Sequence, residues 1–176
     1  MSDSKLQLRT SQDTTGEVQR VLAKLEAGGR DLRVARLLAN SANGFRPYVL
    51  MSDALLNRAS LRAPLREVAI LAIATHLHAD YEWEEHVSMS RAAGVTDEQR
   101  EAIRNGELDA DCFSEEEREA MRLALIVLEG GLTLEDWSQA SERWGQDAAL
   151  DLVFTVGWWG GFMHLVIAAL ADHGLR

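Results

Sequence analysis

The chain has a single cysteine, Cys112, so an intrachain disulfide is excluded. An apolar signal core is also absent from the polar N-terminal residues 1–12. Together these two absences predict a cytoplasmic protein. We expect residues 1–12 to form a flexible N-terminal arm. Residues 13–176 are predicted to form one domain, because a chain of 176 residues that is 47% hydrophobic can build one well-buried core.

Positive charge is also scarce in this sequence. It has 28 acidic residues against 18 basic ones, which gives a formal net charge of −10. The resulting field repels phosphate backbones and anionic membranes, so we expect no nucleic-acid partner. A small anionic substrate remains compatible with this charge because it needs only a local arginine. Four arginines lie near the central stretch described below: Arg46, Arg58, Arg62 and Arg66.

One long segment near the C-terminus, residues 152–171, has no formally charged residue and is about long enough to span a bilayer. We nevertheless predict soluble core or a subunit interface, and no membrane. Trp158 and Trp159 lie mid-segment instead of at an interface, and both flanks are acidic. The Gly160–Gly161 pair would also weaken an isolated helix.

Alternating apolar and polar patterns bounded by turn residues, which are typical of β-strands, are absent. Apolar positions at helical spacing recur instead, and they predict an all-α, single-domain helical bundle. Helix starts are predicted from capping boxes at Thr14-x-x-Glu17, Thr96-x-x-Gln99 and Ser114-x-x-Glu117.

Further helix boundaries are predicted from Gly, Asn and Pro. Glycines at 28–29, 94, 106 and 130–131 should end helices, and Asp31 should cap a short one. Residues 40–44 read as a turn. Helices are then expected from about Pro47 to Asn57, from Thr133 to Trp144, and over roughly residues 148–171.

The central stretch from Pro64 to Gly94 places acids and imidazoles inside a strongly apolar run. It is too long for one helix, since globular helices usually span ~8–20 residues. A straight helix would separate Glu67 and His86 by about 28 Å along its axis. We therefore predict a break between His76 and Asp80, with Asp80 capping the second helix, so that Glu67 comes beside His86.

A carboxylate beside an imidazole forms an acid–base pair. Glu67 would fix the tautomer of His86 and stabilise its imidazolium form. Such a pair between packed helices is also common as an ordinary satisfied polar contact, and spacing alone does not distinguish the two roles. On spacing alone, Tyr81 and Trp83 are typical of core or rim residues.

A metal site is the alternative chemistry for this stretch. His78, Glu82 and His86 lie at i, i+4 and i+8, so adjacent pairs on one helix could share an ion. All three could not, because His78 and His86 would be about 12 Å apart along the axis. There is no HExxH motif and no cysteine cluster, so we predict no functional metal. Cys112 has no recognisable base nearby in sequence, which makes a catalytic thiol improbable.

Several segments resemble the carboxymuconolactone decarboxylases and their AhpD-like relatives, which are small all-helical proteins. They are Arg66-Glu67-Val68-Ala69-Ile70-Leu71, Tyr81-Glu82-Trp83-x-x-His86, Ala93-Gly94-Val95 and Phe113-Ser114 followed by an acidic helix. AhpD-like peroxidases carry a CxxC pair, whose positions fall here on Ala79 and Glu82. Without either thiol, dithiol peroxidase chemistry is excluded at this site.

The resemblance therefore implies the decarboxylase branch, in which Glu67 and His86 would be the catalytic residues of an acid–base lyase. No cofactor is expected, because an unsaturated lactone acid can serve as its own electron sink. With Glu67 beside His86 across the predicted break, we expect the substrate-binding residues to be Arg66, Tyr81, Glu82, Trp83, Trp158 and Met163. A homo-oligomer, trimer or hexamer, is also implied. Isomerisation or lactone hydrolysis by the same pair, and a non-enzymatic ligand-binding or scaffold protein, remain open alternatives.

Overall fold

The computed structural model describes residues 6–28 and 33–173, and within these ranges it contains helices but no strand. The predicted all-α class is confirmed. The helices are α1 (Gly16–Glu26), α2 (Arg33–Leu38), α3 (Ala42–Asn57), α4 (Ala63–His76), α5 (Asp80–Ala92), α6 (Asp97–Arg104), α7 (Glu115–Leu128), α8 (Leu134–Trp144), α9 (Gln146–Thr155), a π-helical segment (Val156–Met163), α10 (His164–Leu170) and a short 3₁₀ turn (Ala171–His173).

The chain divides into two compact units, one of which comprises the described residues of 1–54 and 167–176. Buried apolar residues from α1 to α3, such as Leu22 and Phe45, form its core. Of the predicted arm, residues 6–12 are described. There the Arg9 N–H donates to the Arg36 carbonyl at 3.0 Å, and the Ser11 hydroxyl donates to Glu26 at 2.6 Å. The boundary of the arm at residue 12 stays a prediction.

The second unit, residues 55–166, is built around α4. Residues 65–74 of this helix are all buried, because α5, α6, α7, α9 and the π-helical segment pack against it. The apolar core includes Leu71, Ile103, Met121 and Leu152. A helix enclosed in this way must satisfy any polar side chain it carries from within the protein.

Two of the three predicted capping boxes are confirmed, at Thr96–Gln99 and Ser114–Glu117. The one at Thr14 is wrong, because Thr15 is the N-cap of α1 and makes no side-chain cap hydrogen bond. The Thr14 hydroxyl instead donates to the Thr10 carbonyl at 2.8 Å. Asp31, predicted to cap the next helix, lies outside the described residues.

The turn predicted over residues 40–44 is shorter than expected, since α3 already begins at Ala42. The hydroxyl of Ser41 accepts a hydrogen bond from the Gly44 N–H at 3.0 Å, which satisfies a donor of the first helical turn. Pro47 consequently lies inside α3 instead of at its start. The helix ends at Asn57, as predicted.

The predicted break in the central stretch is confirmed. α4 ends at His76 and α5 begins at Asp80, so the chain turns over residues 77–79. His78 adopts φ +53°, the only positive φ of a non-glycine residue in the described ranges. The capping role predicted for Asp80 is wrong: Ala79 is the N-cap, and Asp80 pairs with Arg104 at 2.6 Å.

The final apolar helix runs over residues 146–170, close to its predicted span, but its middle is π-helical. Gly160 allows this segment to approach α4 and α7, because a Cβ there would lie 2.5 Å from Leu128 Cδ1 and 3.2 Å from Ile73 Cγ2. By length and composition only, the helix could cross a membrane, and 33% of its most apolar window is buried. Core helices of soluble proteins meet the same criterion, so this finding is weak support for a membrane span.

Candidate active site

Glu67 on α4 and His86 on α5 meet across the hairpin that these two helices form. Glu67 Oε2 lies 2.9 Å from His86 Nδ1, a hydrogen-bonding distance. Both residues are almost fully buried, with 1% and 3% of their surface exposed. The predicted contact between them is therefore confirmed, and it forms within one chain.

Arg66 completes this arrangement. Its Nε and Nη2 both donate to Glu67 Oε1 at 3.2 Å. The Glu67 carboxylate therefore bridges a guanidinium through one oxygen and an imidazole through the other. Burying a carboxylate is costly unless a cation compensates it, and Arg66 supplies that charge. We call Arg66, Glu67 and His86 the buried triad.

The hydrogen bond to Glu67 fixes which atom of His86 is available for chemistry. A carboxylate only accepts hydrogen bonds, so Nδ1 must carry the proton that joins them. Nε2 makes no hydrogen bond within residues 6–28 and 33–173. Proton exchange with a bound molecule would therefore use Nε2.

An aromatic ring from the π-helical segment covers the imidazole, and it belongs to Trp159. The rings of His86 and Trp159 meet edge to face, with centroids 5.3 Å apart and planes at 90°. The tryptophan predicted from the sequence is the neighbouring Trp158, which is half-buried and stacks on Phe162 with centroids 4.6 Å apart. The wider turns of a π-helix change which side chains share a face, and a 3.6-residue period does not anticipate that change.

Glu82 is a second buried carboxyl group at this site, with 4% of its surface exposed. Its Oε1 has no hydrogen-bond partner among the described residues. Burial, opposed only by the backbone N–H of the residue itself, raises the pKa of Glu82 to about 7. Near neutral pH, a substantial fraction of this group is therefore the uncharged acid.

The other predicted binding residues have varied environments. Trp83 packs against the main core, and the Arg104 guanidinium lies 4.9 Å from its ring centroid. Tyr81 is half-buried, and Met163 is buried in the π-helical segment. Substrate binding by Tyr81, Trp83, Trp158 and Met163 stays a prediction.

The arrangement considered for a metal on one helix does not form. His78 is exposed in the turn before α5, so it does not share a helical face with Glu82 and His86. In the described part of the chain, no group of three or more His, Cys, Asp or Glu residues is placed to hold a metal ion. Cys112 is half-buried, and burial together with the charge of Glu98 raises the pKa of its thiol.

Residues 44–125 match the model of the carboxymuconolactone decarboxylase family, and this segment includes the buried triad and Glu82. No curated protein matches the chain. The family match coincides with the segment in which the sequence resemblance and the site geometry were found. Residues 44–125 are therefore similar to the carboxymuconolactone decarboxylase family.

Proposed function

We propose that this protein is a cofactor-independent acid–base lyase that decarboxylates a small carboxylated lactone or a related unsaturated acid. The observation that supports this function best is the 2.9 Å contact between Glu67 and His86, which leaves Nε2 of the imidazole for proton transfer. A buried, oriented imidazole is suited to general acid–base catalysis.

The net reaction consumes one proton. When the bond between the substrate carbon and its carboxylate breaks, carbon dioxide leaves and the electron pair is delocalised into the conjugated carbonyl. The imidazolium of His86 then delivers its Nε2 proton to carbon, while Glu67 stabilises the cation through Nδ1. Water restores the proton to His86, so the net change replaces a carboxylate by hydrogen.

Substrate binding would involve residues around the buried triad. The Arg66 atoms Nε and Nη2 contact Glu67, and Nη1 remains for a substrate carboxylate. We include Tyr81, Glu82, Trp83, Trp158 and Met163 as binding residues. Isomerisation and lactone hydrolysis use the same proton transfers and are variants of this proposal.

A non-enzymatic ligand-binding or scaffold role is the second candidate, and one observation favours it. Glu67 and His86 have only 1% and 3% of their surface exposed, so the pair is almost completely shielded from solvent. A hydrogen-bond network whose only role is to hold α4 against α5 would have the same geometry as a catalytic pair.

Replacement of either member of the pair separates these functions. We expect His86→Gln and Glu67→Gln to keep the fold and to lower turnover by ~10²-fold or more, because proton transfer is lost. The assay is carbon dioxide release and ring absorbance over a panel of unsaturated lactone acids and β-keto acids. His76→Gln is the matched control, since its side chain is 43% exposed and faces Glu129. Unchanged turnover in both site variants would favour the binding or scaffold role.

We further propose a soluble, cytoplasmic homo-oligomer, a trimer or hexamer, that binds neither membranes nor nucleic acid. The net charge of −10 disfavours phosphate-rich partners. Exposed apolar side chains on the helix of residues 146–170 favour a protein interface: Leu150, Phe154, Phe162 and Leu165. Size-exclusion chromatography with light scattering tests the assembly, and partition into detergent micelles would contradict the soluble state.

A further inference from the structure

The two buried carboxyl groups of this site have different hydrogen-bonding environments. Both oxygens of Glu67 are engaged, one by Arg66 and the other by His86. Glu82 is 4% exposed, and its Oε1 is buried with no hydrogen-bond partner in the described residues. Buried polar atoms are rarely left unpaired in native proteins, so this oxygen requires an explanation.

Glu82 also lies close to the proposed proton donor along the helix. Glu82 and His86 are at i and i+4 on α5, and both are buried. Residues at this spacing are neighbours on one helix face. Glu82 is therefore directed to the same side of α5 as the imidazole.

The charge state of Glu82 indicates what it can bind. Burial raises its pKa to about 7, and no neighbouring charge contributes to that shift. A neutral carboxylic acid offers an O–H donor. A ligand carboxylate placed against Glu82 would be buried beside another carboxyl group, at a position where no neighbouring charge acts to compensate it. An uncharged carbonyl oxygen is the better complement.

We propose that Glu82 donates its O–H to a carbonyl oxygen of the ligand, so that the site selects small acids that also carry an uncharged lactone or ketone carbonyl. This inference rests on the proposed function, because it places the ligand at the Glu67–His86 pair. It makes Glu82 a catalytic acid that acts together with His86.

The proton movements balance. As the carbon–carboxylate bond breaks, carbon dioxide leaves and the electron pair moves onto the carbonyl oxygen, which takes the proton of Glu82. His86 then protonates the carbon while the enol proton returns to Glu82 and the carbonyl re-forms. Glu82 ends the cycle neutral, and His86 regains its proton from water.

Two ligands that differ only in the carbonyl test this role. One is γ-carboxy-γ-butyrolactone, and the other is tetrahydrofuroic acid, which has the same ring and carboxylate but no carbonyl. Isothermal titration calorimetry at a pH below 7 should give a preference for the lactone of about tenfold in the unmodified protein. Glu82→Leu should abolish the preference. Glu82→Gln, whose amide also donates, should keep part of it.

Glu84→Gln removes the same charge from an exposed position of α5 and should leave the preference unchanged. Equal affinity for the two acids, including no measurable binding of either, would overturn the inference. A preference that survives Glu82→Leu would overturn it as well. Failure of the proposed function has a different signature: the carbonyl preference would be present, but no acid in the decarboxylation panel would release carbon dioxide.

Discussion

α4 and the helix of residues 146–170 are both strongly apolar, but the structure places them in different surroundings. Residues 65–74 of α4 are buried without exception, and they include Arg66 and Glu67. In the other helix, only 33% of the most apolar window is buried, and Leu165 has 67% of its surface exposed. α4, the more enclosed helix, therefore carries the buried ion pair, whereas the helix of residues 146–170 exposes apolar side chains on its surface.

This difference shows that burial depends on neighbouring helices more than on the composition of the helix itself. α4 has neighbours on several sides, so its charged residues must find partners inside. The helix of residues 146–170 contacts α4, α7 and α8, and Gly160 lies where it meets α4 and α7. Several of its apolar side chains are nevertheless exposed and available to another molecule: Leu150, Phe154, Phe162 and Leu165.

The largest effect on folding should follow removal of the Arg66 charge from α4. In Arg66→Met, the buried carboxylate of Glu67 loses its cation, and we expect the free energy of unfolding to fall by ~3–5 kcal/mol in urea titrations. Arg62→Met is the matched control, because Arg62 pairs with Glu116 and is 61% exposed. It should cost less than ~1 kcal/mol. A similar small loss in both variants would show that Glu67 does not depend on Arg66.

The next effect concerns Glu82 and depends on pH. Its pKa rises from an ordinary value of 4.5 to about 7 on folding, so below 4.5 the group is protonated in both states and has no effect. Between pH 4.5 and about 7 the Glu82 carboxyl group ionises in the unfolded chain before it ionises in the folded protein, so the free energy of unfolding falls as the pH rises. The total loss is up to ~3 kcal/mol above pH 7. Glu82→Gln should lack this loss, and Glu84→Gln should retain it. Parallel pH–stability curves for Glu82→Gln and the unmodified protein would contradict the assignment.

A smaller effect is expected where the helix of residues 146–170 meets α4 and α7. Gly160→Ala places a methyl group 3.2 Å from Cγ2 of the buried Ile73 and 2.5 Å from Leu128 Cδ1, so we expect a loss of ~1–3 kcal/mol from overpacking. Gly157→Ala has no atom within 4 Å of the new Cβ and should instead gain up to ~1 kcal/mol of helix propensity. Thermal unfolding of the two variants gives the comparison. Equal melting temperatures would mean that Gly160 does not set the helix spacing.

The smallest effect on folding should come from the exposed apolar surface. Leu165→Lys should change the free energy of unfolding by less than ~0.5 kcal/mol and yet reduce the mass of the assembly measured by light scattering. Leu134→Lys, at a position of α8 that is 86% exposed, is the control and should leave the mass unchanged. An unchanged mass in both variants would place the proposed interface elsewhere.

Much of the site could be predicted from sequence because it depends on local rules. The limit on helix length predicted a break near residue 78. Residues at similar distances before and after such a break lie side by side in an antiparallel helix pair, which predicted that Glu67 contacts His86. The helix caps at Thr96 and Ser114 could be predicted from a short capping-box motif alone. These features depend on spacing along the chain, which a single sequence displays in full.

Other features depend on three-dimensional surroundings. Adjacent residues of a helix do not normally face each other, so the bond from Arg66 to Glu67 could not be read from their spacing. Trp159 was missed because the π-helical segment alters the helical period. The neutral form of Glu82 depends on how completely its neighbours exclude water, which no sequence pattern records.

The turn over residues 77–79 works as a spacer of fixed length. A residue added there would rotate every side chain of α5 by about 100° around the helix axis. His86 would then point away from Glu67, although both helices would keep their composition and caps. The turn can therefore accept substitutions more readily than insertions or deletions. Related sequences that keep the Glu67–His86 contact should have a turn of the same length.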